Sequence, residues 1–319
     1  MKSIQKFNNI HGKDISVVIT SWNAKSFLLQ CLQSIVEGEI KHSVEVIVVD
    51  NGSTDGSCEA VKEKFRDVVL IEKSENHGFA KANNIGMLSS KGRYICLVNS
   101  DIKVLNGCLD RMVNYMDENP QVGILGPKVL WGDMTLQSSC RMVPTLWNNF
   151  CPAVGLNRIF RRSKLFSGEH MLHFQHDRIE RVDVLVGCFM MVRREAIERV
   201  GLLDERFFIY GEDIDWCKRF WDAGWEVVFF PFAEVIHYGR GSSSNAPLKF
   251  VLEQEKTVIQ YWKKHHGFGK QQAFKAIRLC HHLLRVLAGS LALFAGRKKR
   301  GYLKSAIEKN LKSIRILMG

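Results

Sequence analysis

Val44-Glu45-Val46-Ile47-Val48-Val49-Asp50-Asn51-Gly52-Ser53-Thr54-Asp55-Gly56-Ser57 is the stretch on which the fold turns. Apart from one glutamate its first six positions are apolar and β-branched, the composition of a buried strand. From Asp50 onward come the residues that make turns. Upstream, Ile15 to Thr20 is a second short β-branched run. Between the two, Phe27, Leu28, Cys31, Leu32 and Ile35 fall at helical spacing. Strand, helix, strand demands a parallel pair with a crossover. The pattern continues with a helix to about Phe65, a strand at Val68–Ile71, a polar segment Asn76–Asn84 and a strand at Tyr94–Val98. That last strand ends in Asn99-Ser100-Asp101. Both polar strand ends lie at the carboxyl edge of a parallel sheet, where open α/β folds bind ligands.

Two common nucleotide-binding classes lose their support here. The first strand is followed by no Gly-x-Gly-x-x-Gly, and no glycine-rich loop ending in Gly-Lys occurs. What remains is a nucleotide-binding half whose strand ends are acidic.

Beyond Asn119-Pro120 the alternation fades. Val122–Leu125 reads as one more strand, and the stretch to about Arg181 has little period and holds the positive cluster Arg161-Arg162-Ser163-Lys164. Val182–Val192 is apolar around Gly187-Cys188, and a short helix from Arg193 closes at Gly201. Tyr210-Gly211-Glu212-Asp213-Ile214-Asp215-Trp216-Cys217-Lys218-Arg219 then packs three carboxylates into a helix start, with Ile214, Cys217, Phe220 and Trp221 on the apolar face. Acids in a first turn complement the helix dipole, and capping alone would account for them. Strand-like Val227–Phe230 and Val235–Tyr238 follow, the second running into Gly239-Arg240-Gly241-Ser242-Ser243-Ser244.

Nine scattered cysteines without a Cys-x-x-Cys pair indicate neither a zinc site nor a disulfide framework, so reduced thiols and a cytoplasmic setting are expected. The first residues are polar and show no secretory leader. Of the net +12, +11 lies between Gly267 and Gly319, where twelve Lys or Arg face one acid, Glu308. A nucleic-acid-binding main body is therefore not expected. From about Ala246 the chain turns to helix formers, one helix to Gly267 and a second from about Gln271 to Leu293. The apolar part of the second, Leu283–Gly296, would reach about 21 Å, short of the ~30 Å of a hydrocarbon core. With Arg297-Lys298-Lys299-Arg300 behind it, it either lies peripherally on an anionic inner leaflet or packs as a hairpin with a solvated basic end.

In this order the motifs resemble those of the family-2 glycosyltransferases, rhamnosyltransferase-like branch. They are Val49-Asp50-Asn51-Gly52-Ser53, Asn76-x-Gly78-Phe79-Ala80-x-x-Asn83-Asn84, Leu97-Val98-Asn99-Ser100-Asp101, Leu203-Asp204-Glu205-x-Phe207-Phe208, Glu212-Asp213-x-Asp215 and His237, spread over roughly Ile15–Ser244. The resemblance implies a GT-A fold, a Rossmann-like mixed sheet flanked by helices, here with a helical basic C-terminal extension. The divisions are a tail (1–13), a nucleotide-sugar-binding half (14–125), an acceptor-binding and catalytic half (126–245) and the extension (246–319). It also implies an inverting transfer from a nucleotide-diphosphate sugar, dTDP-rhamnose or a UDP-sugar, to a saccharide or lipid-linked acceptor in cell-surface polysaccharide synthesis.

Residue by residue, the resemblance gives Asp213 as catalytic base with Glu212 beside it, and Asp101 with His237 as ligands of Mg²⁺ or Mn²⁺. Asn99 stands where relatives often carry a second carboxylate. Asp50 would accept from the donor base N–H, although Asp-Asn-Gly also makes a tight turn. Asn51, Asn76, Gly78, Lys81 and Asn84 fall on the donor side, where helix capping competes. Arg240 and Ser242 would meet phosphate oxygens, and Asp215 either touches substrate or pairs with Arg219. Two rivals are a sugar-nucleotide pyrophosphorylase, which wants a glycine-rich basic loop where Ser21-Trp22-Asn23-Ala24 stands, and a non-catalytic membrane-surface module driven by the tail. Truncation at about residue 266 separates these readings: activity that survives in the core would make the tail only an anchor.

Overall fold

β-branched runs and helical stripes alternate through the first half of the chain, and the computed structural model, which describes residues 12–160, 162–171, 173–239, 247–295 and 300–319, turns them into a doubly covered sheet. The elements begin β1 (Lys13–Ser21), α1 (Lys25–Val36), β2 (Val44–Asp50), α2 (Ser57–Lys64), β3 (Val69–Glu72), α3 (Phe79–Ser89), β4 (Gly92–Asn99) and β5 (Ile102–Val104). They continue α4 (Cys108–Glu118), β6 (Val122–Leu130), β7 (Leu136–Gln137), β8 (Cys140–Arg141), α5 (Leu146–Ala153) and α6 (Leu156–Ile159). Then come β9 (Glu180–Arg181), β10 (Val184–Leu185), β11 (Phe189–Arg193), α7 (Arg194–Val200), α8 (Glu212–Asp222) and β12 (Glu226–His237). The last elements are α9 (Pro247–His265), α10 (Phe268–Phe294) and α11 (Arg300–Met318).

Among the described residues the main sheet runs β3-β2-β1-β4-β11-β6-β12-β5. Strands β3, β2, β1 and β4 are parallel, β11 enters antiparallel to β4 and β6, and β5 closes the far edge antiparallel to β12. Interior strands are covered on both faces, which is why Val17, Ile47, Val48 and Cys96 have no exposed surface.

One sequence expectation changes. Val227–Phe230 and Val235–His237 belong to one strand, β12, whose register on β6 shifts between Phe230 and Glu234. Pro231 falls inside that shift; without an N–H it cannot serve a regular ladder. The apolar run Val182–Val192 holds two strands, β10 and β11, broken at Gly187-Cys188.

The chain forms two units. One comprises Met1–Arg141, His176–Phe208 and Glu212–Asn245 and holds the sheet. The other comprises Met142–Gln175, Ile209–Gly211 and Ala246–Gly319. In this second unit α5 packs on α10, and α9, α10 and α11 pack on one another. Trp262 stacks on Phe274 at 4.7 Å, both fully buried. Gly289 allows close approach of Ile307, which a β-carbon there would meet at 2.9 Å. Helix α10 is 27 residues, longer than the apolar run suggests, and by length and composition it is able to cross a membrane. The basic end read as solvated contains a further helix, α11; Arg297, Lys298 and Lys299 lie outside the described residues.

Candidate active site

Strand ends build the site. At the end of β2, Asp50 is buried, and its Oδ1 accepts the N–H groups of Gly52 (3.1 Å) and Ser53 (2.8 Å). This is the turn-forming arrangement. The other oxygen, Oδ2, is also buried and accepts no N–H or O–H bond among the described residues. Turn and ligand readings therefore fall on different oxygens of one carboxylate. On β1, in register with Asp50, the Ser21 hydroxyl is likewise buried without a partner among the described residues. Each such atom costs about 1–3 kcal/mol unless something satisfies it. Burial, then the charge of Asp50, pushes the nearby Cys58 thiol up to about 12.

The neighbouring amides are already engaged. Asn51 Nδ2 donates to Asn76 Oδ1 (3.2 Å) and to the Gly78 carbonyl (3.1 Å), while its Oδ1 accepts from His77 N–H. Asn76 Oδ1 also takes the Gly78 N–H at 2.9 Å. These two side chains brace the β2 turn against the loop before α3. Gly78 has φ +85°, and a β-carbon there would lie 2.4 Å from the Phe208 carbonyl oxygen. Asn84 is buried, donating to Leu203 O (2.9 Å) and Glu205 Oε1 (3.1 Å) and accepting from Leu203 N–H (3.0 Å). Its amide holds residues 203–205 rather than facing open space. Lys81, half-buried in the first turn of α3, has no ion pair among the described residues.

At the far edge, pairing of β5 with β12 sets His237 opposite Ile102, and Tyr238 N–H donates to the Asp101 carbonyl at 3.0 Å. His237 Nε2 consequently lies 3.3 Å from Asp101 Oδ1. Its Nδ1 is 3.1 Å from Gln137 Oε1, and the Trp131 ring lies nearly parallel to the imidazole, centroids 6.4 Å apart. Gln137 and Trp131 belong to the β6–β7 hairpin and escaped the sequence reading, because that stretch has no period; a Trp-Gly-Asp turn was the available signal. Asn99 Oδ1 is buried and accepts no hydrogen bond among the described residues. No group of three or more metal-binding side chains occurs among the described residues. One carboxylate and one imidazole in contact nonetheless fit a divalent cation that keeps water and takes diphosphate oxygens for its other positions.

The third part is the start of α8. Tyr210 and Gly211, both at positive φ (67° and 82°), turn the chain into this helix. Asp213 Oδ2 accepts the Gly187 N–H at 3.1 Å, so the break between β10 and β11 exists where it serves this carboxylate. Asp213 Oδ1 takes the Ile214 N–H at 2.8 Å. Burial raises the Asp213 carboxyl, against the lowering effect of that Gly187 bond and of the Arg141 charge. Glu212 is buried, with Oε2 accepting no hydrogen bond among the described residues. Burial first, and the Asp213 charge second, push it well above the usual carboxylate range. Asp215 has no exposed surface and accepts from Arg219 at 2.9 Å; the same guanidinium donates to the carbonyls of Val200 and Leu202. Of the two readings for Asp215 the ion pair is the one present. Arg240 and Ser242, expected at the diphosphate, lie outside the described residues.

Comparison with known proteins adds the following. The chain is 29% identical over 287 residues to N-acetylglucosaminyl-diphospho-decaprenol L-rhamnosyltransferase of Mycobacterium tuberculosis, covering 85% of this chain and 88% of that one. To dTDP-rhamnosyl transferase RfbF of Shigella flexneri it is 24% identical over 317 residues, 97% and 98% of the two chains. Mannosyltransferase PcManGT from Pyrobaculum calidifontis, solved with GDP-Man and Mn²⁺, superposes with a TM-score of 0.57 at 16% identity over 98% of this chain and 90% of that one. GalNAc-T7 with UDP, GalNAc and Mn²⁺ gives a TM-score of 0.57 at 18% identity over 96% and 56%. Both likenesses carry the GT-A architecture. The family model "Glycosyl transferase family 2" matches residues 16–201, more than half the chain, and so the chain belongs to the family-2 glycosyltransferases.

Proposed function

We propose that this glycosyltransferase moves rhamnose from a dTDP donor to a hydroxyl of a lipid-linked saccharide, with inversion at the anomeric carbon, in the synthesis of a cell-surface polysaccharide. The observation that carries the donor class is Asp50 Oδ2, buried and without an N–H or O–H donor at the end of β2. A pyrimidine ring N–H is such a donor, and Ser21 Oγ, a second buried group in register with it, is there for a carbonyl of the same ring. The sugar and the lipid-linked acceptor rest on the two rhamnosyltransferases to which the chain is similar over most of its length.

In the reaction the acceptor oxygen bonds to the anomeric carbon as the bond from that carbon to the diphosphate breaks, and the acceptor proton goes to Asp213. The Gly187 N–H holds the Asp213 carboxylate in place and favours its charged form. Glu212, whose carboxyl burial shifts towards its neutral form, orients the acceptor. Lys81 offsets charge on the departing diphosphate. Asp101 and His237 would hold Mg²⁺ or Mn²⁺, which when bound neutralises charge on that diphosphate. In this reading the basic C-terminal part keeps the enzyme at the cytoplasmic face of an anionic membrane.

Donor turnover over a panel of nucleotide sugars, with Mg²⁺, Mn²⁺ or EDTA, tests the proposal. dTDP-rhamnose is expected to turn over fastest, EDTA to abolish turnover, and Asp213→Asn to lower transfer by about 10²–10⁴-fold without changing donor affinity. Preference for a purine-linked donor, or wild-type transfer by Asp213→Asn, overturns it.

A further inference from the structure

Helix α10 has two unlike faces. One faces α9 and α11 through a buried polar network. Glu255 receives Arg278 and His282, and His282 Nδ1 meets Asn310 Oδ1 at 2.8 Å. The opposite face is apolar and open: Leu283, Leu287, Leu291 and Phe294 are 51%, 57%, 61% and 93% exposed. With Ala276, Cys280 and Leu284 they form a stripe at helical spacing that contains no charged residue from 276 to 294.

The segment that packs on α10 adds a second open apolar surface of different composition. Around α5 and α6, Trp147, Phe150, Ile159, Phe160 and Leu165 are each between 38% and 73% exposed. Their rings are organised rather than scattered. Trp147 contacts Phe150 and Phe166 at 5.9 and 5.8 Å, Phe160 contacts Phe166 at 5.1 Å, and Trp147 Nε1–H donates to Leu165 O at 2.8 Å. Between Met142 and Gln175 the sequence holds four Lys or Arg against one acid, Glu169. Burial first, and the charge of Arg158 second, lower the Arg285 guanidinium on α10. Both surfaces belong to one unit, in which α5 packs on α10.

We infer that the aromatic segment Leu146–Phe166 and the outer stripe of α10 form one docking face for the interfacial layer of an anionic bilayer, with α10 lying in the membrane plane. The inference deepens the membrane-surface reading above and rests on it. Aromatic rings in a segment whose sequence is basic suit the headgroup level, and an uncharged aliphatic stripe suits the acyl boundary. A crossing orientation is disfavoured by the inner face, since it would strip Glu255 of Arg278 and His282 and leave the carboxylate buried alone. Pairing with a second copy is disfavoured by charge: two tails of net +11 would face each other, whereas anionic headgroups answer both.

Vesicle flotation of the full chain, with phosphatidylcholine vesicles with and without phosphatidylglycerol, is the test. Wild-type protein is expected to float with the anionic vesicles and to stay behind with the neutral ones. Leu287→Glu and Phe150→Glu, both at exposed positions, are each expected to weaken flotation by roughly tenfold or more. Both should keep wild-type circular dichroism melts and donor turnover. Wild-type binding by both variants would mean that the basic charge alone holds the protein to lipid, and would overturn the docking face while sparing the peripheral-membrane reading. No flotation of the wild type at low salt overturns both. A concentration-dependent dimer in sedimentation, lost in Leu287→Glu, would assign the face to a second copy and overturn the inference. Turnover of dTDP-rhamnose is read separately on the same samples, so failure of the transferase reading is not mistaken for failure to dock.

Discussion

Two adjacent carboxylates at the start of α8 occupy different surroundings, and this separates their roles. Asp213 is fixed by two backbone N–H groups, whereas Glu212 has a buried oxygen that accepts none among the described residues. A carboxyl raised in the folded state destabilises that state once pH passes its unfolded value, about 4.3. The penalty grows by ~1.4 kcal/mol per unit until the folded value is reached. Glu212 is raised well above that value, so the fold bears this penalty at neutral and alkaline pH. Glu212→Gln is therefore expected to unfold at higher denaturant than wild type at pH 8, with the difference shrinking towards pH 4, and to lose transfer activity. A difference that stays constant with pH, measured by urea titration, would refute the buried-carboxyl account. The sequence placed these acids together at a helix start, but not which one accepts a distant backbone N–H. That depends on Gly187, 26 residues away, whose N–H chooses Asp213.

At the scale of elements, several motif residues proved to be connectors. Asn84 lies on α3 among residues that resemble donor contacts, yet its amide makes three bonds to Leu203 and Glu205. Those partners lie some 120 residues on, beyond any local pattern. Phe79 N–H donates to Phe208 O at 2.7 Å, so the start of α3 and the chain ahead of α8 are tied at two points. Asn84→Ala leaves the buried Leu203 N–H and carbonyl without partners, at about 1–3 kcal/mol each. The expected result is a lowered denaturation midpoint with donor affinity, by titration calorimetry, unchanged. A large loss of affinity at unchanged stability would restore Asn84 to the donor site. The parallel strands, by contrast, were legible from sequence, since burial on both faces makes continuous β-branched runs. The short strands β7 to β10 were not, because two-residue strands have no period to read.

For the molecule as a whole, what the sequence could not disclose is that its second unit is assembled from distant pieces. Met142–Gln175 shows little periodicity because α5 is short and its partner α10 begins more than a hundred residues later. The same fact bears on a truncation at about residue 266. Cutting there removes α10 and α11. Trp262 then loses Phe274, Glu255 loses Arg278 and His282, and α5 loses the helix it packs on. Breaking a buried pair by removing its cationic partner alone costs about 3–5 kcal/mol, and exposing a large aromatic pair adds a comparable amount. Together these approach the whole stability of an ordinary domain, about 5–15 kcal/mol. A chain ending at His266 is therefore expected to be largely insoluble or to bind a hydrophobic dye strongly, whereas Leu287→Glu in the full chain does neither. Soluble yield and cooperativity of thermal unfolding decide the matter. A truncated chain that melts cooperatively at the wild-type temperature would show that α5 and α9 hold without α10, and that the tail is an appendage after all.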